Sequence, residues 1–189
     1  MLAFKAFNKD LKCTMGKGVY QFEIGKTYEE DASKCASTGF HCCEYPLHCF
    51  NYYSTKDRFC MVEAEGSIDE VEGDTKIACT RMTVLKEITL KDMAGYAMRY
   101  MVLNPKKDWK ICGGSIQVSD KAILAKGAQI AISRCKEPIV SAGKGAICGL
   151  IEEIDGEIKA ARLYVVDGDK YLPSVKYTLN NGEIVRWNG

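Results

Sequence analysis

Nowhere in this chain of 189 residues do two cysteines stand in a Cys-x-x-Cys step. Its ten cysteines fall at 13, 35, 42, 43, 49, 60, 79, 112, 135 and 148, an irregular spacing that suggests neither a zinc ribbon nor a thioredoxin-type redox motif. An excess of charge is also lacking: Lys+Arg 26 against Asp+Glu 25 leaves a net charge of +1. No global field then draws a polyanion, and long nucleic acid is not an expected partner. No run approaches the roughly 18 apolar residues of a membrane span. The opening "MLAFKAFNKD" sets Lys5 and Lys9 in a very short apolar stretch and reads as neither signal peptide nor span. The expectation is a cytoplasmic protein without a membrane partner, its cysteines free thiols or small buried residues rather than disulfides. "GKG" at 16–18 and at 143–145 lacks the further Gly and Lys-Ser/Thr of a phosphate-binding P-loop and reads as turns.

What the chain has is a change of texture near its middle. Residues 1–104 mix strand-like runs with short helices, and the polar segment "NPKKDWK" separates them from residues 105–189. "KAF" opens an edge strand, "VYQFEIGKTYE" alternates as a half-buried strand, and "YEEDASKCAS" reads as a short helix. "EYPLHCFNYY" is a second short helix with Pro46 in its first turn. "RFCMVEAEGSI" and "RMTVLKEITL" alternate as strands around an acidic loop. "LKDMAGYAMRYMVLN" has helical spacing, Asp92 at its start and Pro105 as its stop. Beyond residue 105, short β-like runs punctuated by Gly, Ala and Ser, with "AKGA" and "GKGA" at a loose repeat, suggest solenoid rungs. "VVDGDKY" and "TLNNGEIV" then signal the hairpins of a meander.

The stretch "STGFHCCEYPLHCFNYYS", residues 37–54, concentrates both histidines and three of the ten cysteines. Cys35, His41, Cys42, Cys43, His48 and Cys49 supply zinc-type ligands, but His41, Cys42 and Cys43 are consecutive and cannot all point one way from a strand. No metal is therefore expected. A Cys43–His41 nucleophile pair shares a strand face without a third, orienting group. The remaining reading makes Cys42, Cys49 and Cys60 small core residues.

"GFHCC", "CFNYY" and "MVEAEG", in that order over residues 39–66, resemble the central part of ADP-ribosyltransferases of the diphtheria-toxin and poly(ADP-ribose) polymerase type. The resemblance implies an α+β, ADP-ribosyltransferase-like domain over 1–104, followed by a mostly β part over 105–189. It implies a cleft holding a nicotinamide or similar ring between aromatic side chains. "AFKAF" matches the opening strand, which places Lys5 and Phe7 at the ligand, with His41, Tyr52 and Tyr53 as rings and Arg81, like Lys5, toward phosphate. The strand that should begin with the catalytic glutamate reads "CTRMTV" and has no carboxylate; Glu63, Glu65, Glu72, Asp74 and Glu87 lie elsewhere. A catalytic residue is thus not identified, and the leaning is toward a non-enzyme that needs no cofactor.

Over nearly its whole length, from "KAFNKDLKC" to "VDGDKY" and "YTLNNGEIV", the chain is similar to uncharacterised bacteriophage and prophage proteins. That similarity implies a protein acting in an infected bacterial cytoplasm. The expected function is to bind and sequester a nucleotide-derived small molecule, of the NAD, ADP-ribose or cyclic-nucleotide kind, against host defence. An active ADP-ribosyltransferase with a carboxylate supplied from elsewhere, and a non-enzymatic virion or assembly protein, are the alternatives. Solenoid-like rungs leave unpaired edges that a neighbouring copy covers, so a homo-oligomer is expected.

Overall fold

In the computed structural model, which describes residues 1–14, 18–71, 73–111 and 114–189, 48% of the described residues are strand and 11% are helix. Part of the 16–18 turn, Glu72 and Cys112 lie outside these residues. Two compact units form, Met1–Met93 and Ala94–Gly189. No helix among the described residues is long and apolar enough to cross a membrane.

In the first unit β1 (Leu2–Phe7), β2 (Lys12–Cys13), β3 (Tyr20–Gln21), β4 (Thr27–Glu29) and β5 (Phe40–Cys43) precede a 3₁₀ segment, Pro46–Asn51. Two long strands follow, β6 (Arg58–Glu70) and β7 (Lys76–Ile88). All pairings are antiparallel. β1 pairs β6 from Leu2↔Glu63 to Phe7↔Arg58 and touches β5 at Phe4↔Cys43. β5 pairs β7, and β7 pairs β6 from Phe59↔Ile88 to Glu70↔Ile77. The sheet therefore closes on itself as β1–β6–β7–β5–β1, with β4 added along β7. Irregularities in β6, between Met61 and Val62 and between Glu65 and Ile68, bend the long hairpin enough for closure. Gly66 at the second has φ +76°, and a Cβ there would fall 2.2 Å from Thr80 Oγ1, so this turn of the strand requires glycine.

This ring overturns the α+β, ADP-ribosyltransferase-like fold expected of residues 1–104. One sheet joins its own ends where two sheets around a cleft were expected, and the 3₁₀ segment is the only helix before Leu90 among the described residues. "YEEDASKCAS" forms no helix: Tyr28 is taken up by β4, paired with Met82 of β7, and the remainder has no apolar stripe to bury. Ala36 at φ +62° and Gly39 at φ +82° turn that segment back on itself instead. β1 is no edge strand either: it is paired on both sides and buried from Ala3 to Phe7.

The interior of so small a ring fills by setting short side chains between large ones, which accounts for the buried cysteines. Ala3, Cys42, Cys60, Ala64 and Cys79 alternate there with Phe7, Val62, Ile77, Met82 and Val84.

α1 (Leu90–Leu103) starts in a reciprocal cap: Thr89 Oγ1 accepts the Asp92 N–H at 3.2 Å, and Asp92 Oδ2 accepts the Thr89 N–H at 2.9 Å. The second unit comprises most of this helix and eight strands. They are β8 (Ile116–Ser119), β9 (Ile123–Ala125), β10 (Ile130–Cys135), β11 (Val140–Ala142), β12 (Ile147–Ile154), β13 (Glu157–Val165), β14 (Tyr177–Asn180) and β15 (Glu183–Arg186). The chain alternates between two sheets, ordered β13-β12-β10-β8 and β15-β14-β11-β9. Parallel pairings stack successive coils, Ile116 beside Ile130 beside Ile147, and Ile123 beside Val140. Antiparallel strands complete both sheets; Asn181 and Gly182, both at positive φ, make the β14–β15 turn. "VVDGDKY" makes no hairpin: Asp167 Oδ1 instead accepts the N–H groups of Asp169 and Tyr171. Ala125, Ala128, Ala131, Ala142 and Ala146 keep the layer between the sheets thin. On the other face, a Cβ on Gly149 would fall 2.8 Å from Met98 Sδ, so α1 lies close against β12.

Candidate ligand-binding cleft

A cleft of about 940 Å³ opens into the first unit. Its floor comes from β1 and β5, one wall from the chain leading into and out of β3, and the other from the 3₁₀ segment and the residues after it. The strap 36–39 and Lys76 border it. Four of the six residues singled out from sequence, Lys5, His41, Tyr52 and Tyr53, line it together. Phe7 is fully buried in the core beneath. Arg81 stands outside, its guanidinium 3.4 Å from Glu29 and 3.6 Å from Glu65.

Lys5 is the unusual member. It shares the inward face of β1 with Ala3 and Phe7, and only 9% of it is exposed. Its ammonium donates to the His41 carbonyl at 2.6 Å and lies 5.6 and 5.5 Å from the ring centroids of Phe7 and Phe22. It makes no ion pair with any described carboxylate; Glu30 is the only described carboxylate lining the cleft. Burying an ammonium without a counter-ion is costly, so this position is unusual for a purely structural lysine.

Sequence reasoning missed the aromatic wall. Tyr20, Phe22 and Phe40 cluster with ring centroids 4.8 to 6.0 Å apart, Tyr20 at the mouth and Phe22 and Phe40 deep. No local pattern announces it, because Phe40 arrives from another strand; the alternation of Tyr20 and Phe22 was the available signal. Across the cleft, the exposed Tyr52 ring carries the Lys76 ammonium 5.0 Å above it. Burial and the hydrogen bond to Cys13 push the Tyr53 phenol up, so it stays protonated and donates to that sulfur.

Cys42 and Cys49 are filler rather than reagents. A hydrogen bond with Cys79, then burial, holds the Cys42 thiol well above its ordinary range; Cys43 and burial do the same for Cys49. Such thiols are poor nucleophiles at neutral pH. Among the described residues no cluster of His, Cys, Asp and Glu could hold a metal ion. The second histidine, His48, meets Thr75 Oγ1 at 2.7 Å through Nδ1.

His41 fixes the strap over the cleft: its Nε2 accepts the Ala36 N–H at 3.0 Å, which only an unprotonated Nε2 can do. Burial, then Lys76 and Lys5, lower its pKa below the ordinary 6.5. The unfolded chain thus takes up a proton before the folded one. The stability this confers is present above about pH 6.5 and is lost as pH falls below it. Thermal melts between pH 7.5 and 5 are expected to show a steeper decline for the native protein than for His41→Gln, whose amide oxygen offers an acceptor near the place of Nε2 without titrating. Parallel declines would contradict that role.

Comparison with curated proteins finds no match, and comparison with solved structures finds none. Residues 1–95, half of the chain, match the family described as a domain of unknown function, DUF7666, and the chain belongs to that family.

Proposed function

We propose that the first unit is a small-molecule-binding module that takes a nucleotide-type ligand into this cleft and holds it without turning it over. The observation that carries the reading is the nine-tenths-buried ammonium of Lys5 at the foot of an aromatic wall, a combination suited to a flat ring with a negative group. Retention rather than catalysis follows from the groups at hand. The Cys42 and Cys49 thiols stay protonated, Glu87 is held by Arg58 through two hydrogen bonds, and Glu65 faces Arg81 outside the cleft. In an infected bacterial cytoplasm, the setting implied by the similarity to phage proteins, retention withdraws the ligand from its host receptor. Anti-defence sequestration is the role that fits.

A thermal-shift screen with NAD, ADP-ribose, cyclic ADP-ribose isomers, cyclic dinucleotides and nucleoside monophosphates tests this. At least one ligand is expected to raise the melting temperature and to be recovered intact after denaturation. Recovery of cleaved ligand would make the protein an enzyme, and no shift with any of them would overturn the cleft reading.

A further inference from the structure

We infer that the floor of the cleft is a site for one acidic group, so that the ligand is a flat ring bearing a single terminal carboxylate or phosphate monoester; this rests on the cleft reading above. The ammonium of Lys5 has three N–H donors. The His41 carbonyl takes one at 2.6 Å, and no other described residue accepts the remaining two. On its flanks are the rings of Phe7 and Phe22, which attract a cation but accept no conventional hydrogen bond. The two remaining donors therefore suit an acceptor brought by the ligand, and a negative one removes the cost of the isolated charge.

The number of cations at the floor sets how many acidic groups it takes. Lys5 is the only cation buried there among the described residues. The other lysine lining the cleft, Lys76, is engaged with the ring of Tyr52, and Arg81 lies outside between two glutamates. One buried ammonium matches one acidic group. A bridging diphosphate, set between two nucleosides as in NAD, presents its charges in mid-molecule rather than at an end that can reach the floor. Phe22 beside Lys5, with Phe40 next to it in the cleft lining, then takes the face or edge of the ring that bears the acid.

The test pairs probes that differ only in that group: nicotinate with nicotinamide, and adenosine 5′-monophosphate with adenosine, with NAD as the bridged control, each titrated calorimetrically into the intact chain. At least one acid is expected to bind about tenfold or more tighter than its neutral partner and tighter than NAD, as a charged hydrogen bond at a buried site allows. Which pair shows the gap tells a carboxylate from a phosphate. Lys5→Met is expected to erase the gap, and Lys5→Gln, which keeps a neutral donor, replaces it should the methionine variant not fold. Equal affinity for acid and neutral partner would overturn this inference while leaving the cleft reading intact. A gap that survives in both variants would also overturn it, placing the anion elsewhere. Binding by none of the probes would overturn this inference, and, together with no shift in the wider thermal screen above, the cleft reading as well.

Discussion

Lys5→Met is expected to leave the empty protein at least as stable as the native one, with a gain of about 1–2 kcal/mol. The native ammonium contributes one charged hydrogen bond, worth about 1.5–3 kcal/mol, and two ring contacts of roughly 0.5–1 kcal/mol each. Against these stands the burial of a cation without a counter-ion, an effective penalty of several kcal/mol. Methionine keeps the length of the side chain in a nearly dry place and removes that penalty. Calorimetric melting is the measurement. A loss of more than about 2 kcal/mol would mean that the surroundings already balance the charge, which would leave no reason to expect a ligand to do so. A gain is the pattern of a binding residue that costs stability when the site is empty.

The same kind of substitution in the second unit is expected to go the other way. Arg134→Met should cost about 3 kcal/mol. Arg134 is even more buried than Lys5, at 3% exposed, but its guanidinium has a counter-ion and further partners. Nε donates to Glu153 Oε2 at 2.6 Å, Nη1 donates to the Met101 carbonyl at 2.6 Å, and the plane lies 5.0 Å from the Trp109 ring. The carbonyl belongs to the last turn of α1, where a cation also meets the negative end of the helix. Removal strands a carboxylate and a buried carbonyl, and breaking such a pair costs roughly 3–5 kcal/mol. The lower end applies because Glu153 keeps 26% of its side-chain surface exposed. Both tryptophans, Trp109 and Trp187, belong to this unit, so urea unfolding followed by tryptophan fluorescence reads the loss directly. A change below about 1 kcal/mol would contradict the account. The opposite signs at Lys5 and Arg134 turn on one difference: a counter-ion is present at one and missing at the other.

Legibility from sequence followed the range of the interactions. α1 was readable because Met93, Ala97 and Met101 repeat within one element, and the β14–β15 turn because Asn181-Gly182 fixes it locally. The rhythm of small residues after residue 105 reflected coils stacked on near neighbours, as Ile130 lies on Ile116. The ring of the first unit depends on pairings such as Phe4↔Cys43 and Leu2↔Glu63, which no window of sequence contains. The resemblance of short motifs to another fold filled that gap wrongly. The cleft was half legible: His41, Tyr52 and Tyr53 stand out in an aromatic-rich stretch, and Lys5 was found by that same resemblance. Phe7 and Arg81 came with it, yet the pleat sends Phe7 into the core and Arg81 to the outer surface. Tyr20, Phe22 and Phe40 went unrecognised because their clustering exists only once the ring has closed.

The most direct test of the central claim is the native mass of the protein purified from bacteria, compared with its mass after denaturation. The account predicts a small acidic ring compound carried by the native protein, released intact on denaturation, and missing from Lys5→Met prepared in the same way. A native mass equal to the bare chain or its multiples, with no nucleotide-type or ring-acid probe rebinding, would contradict it.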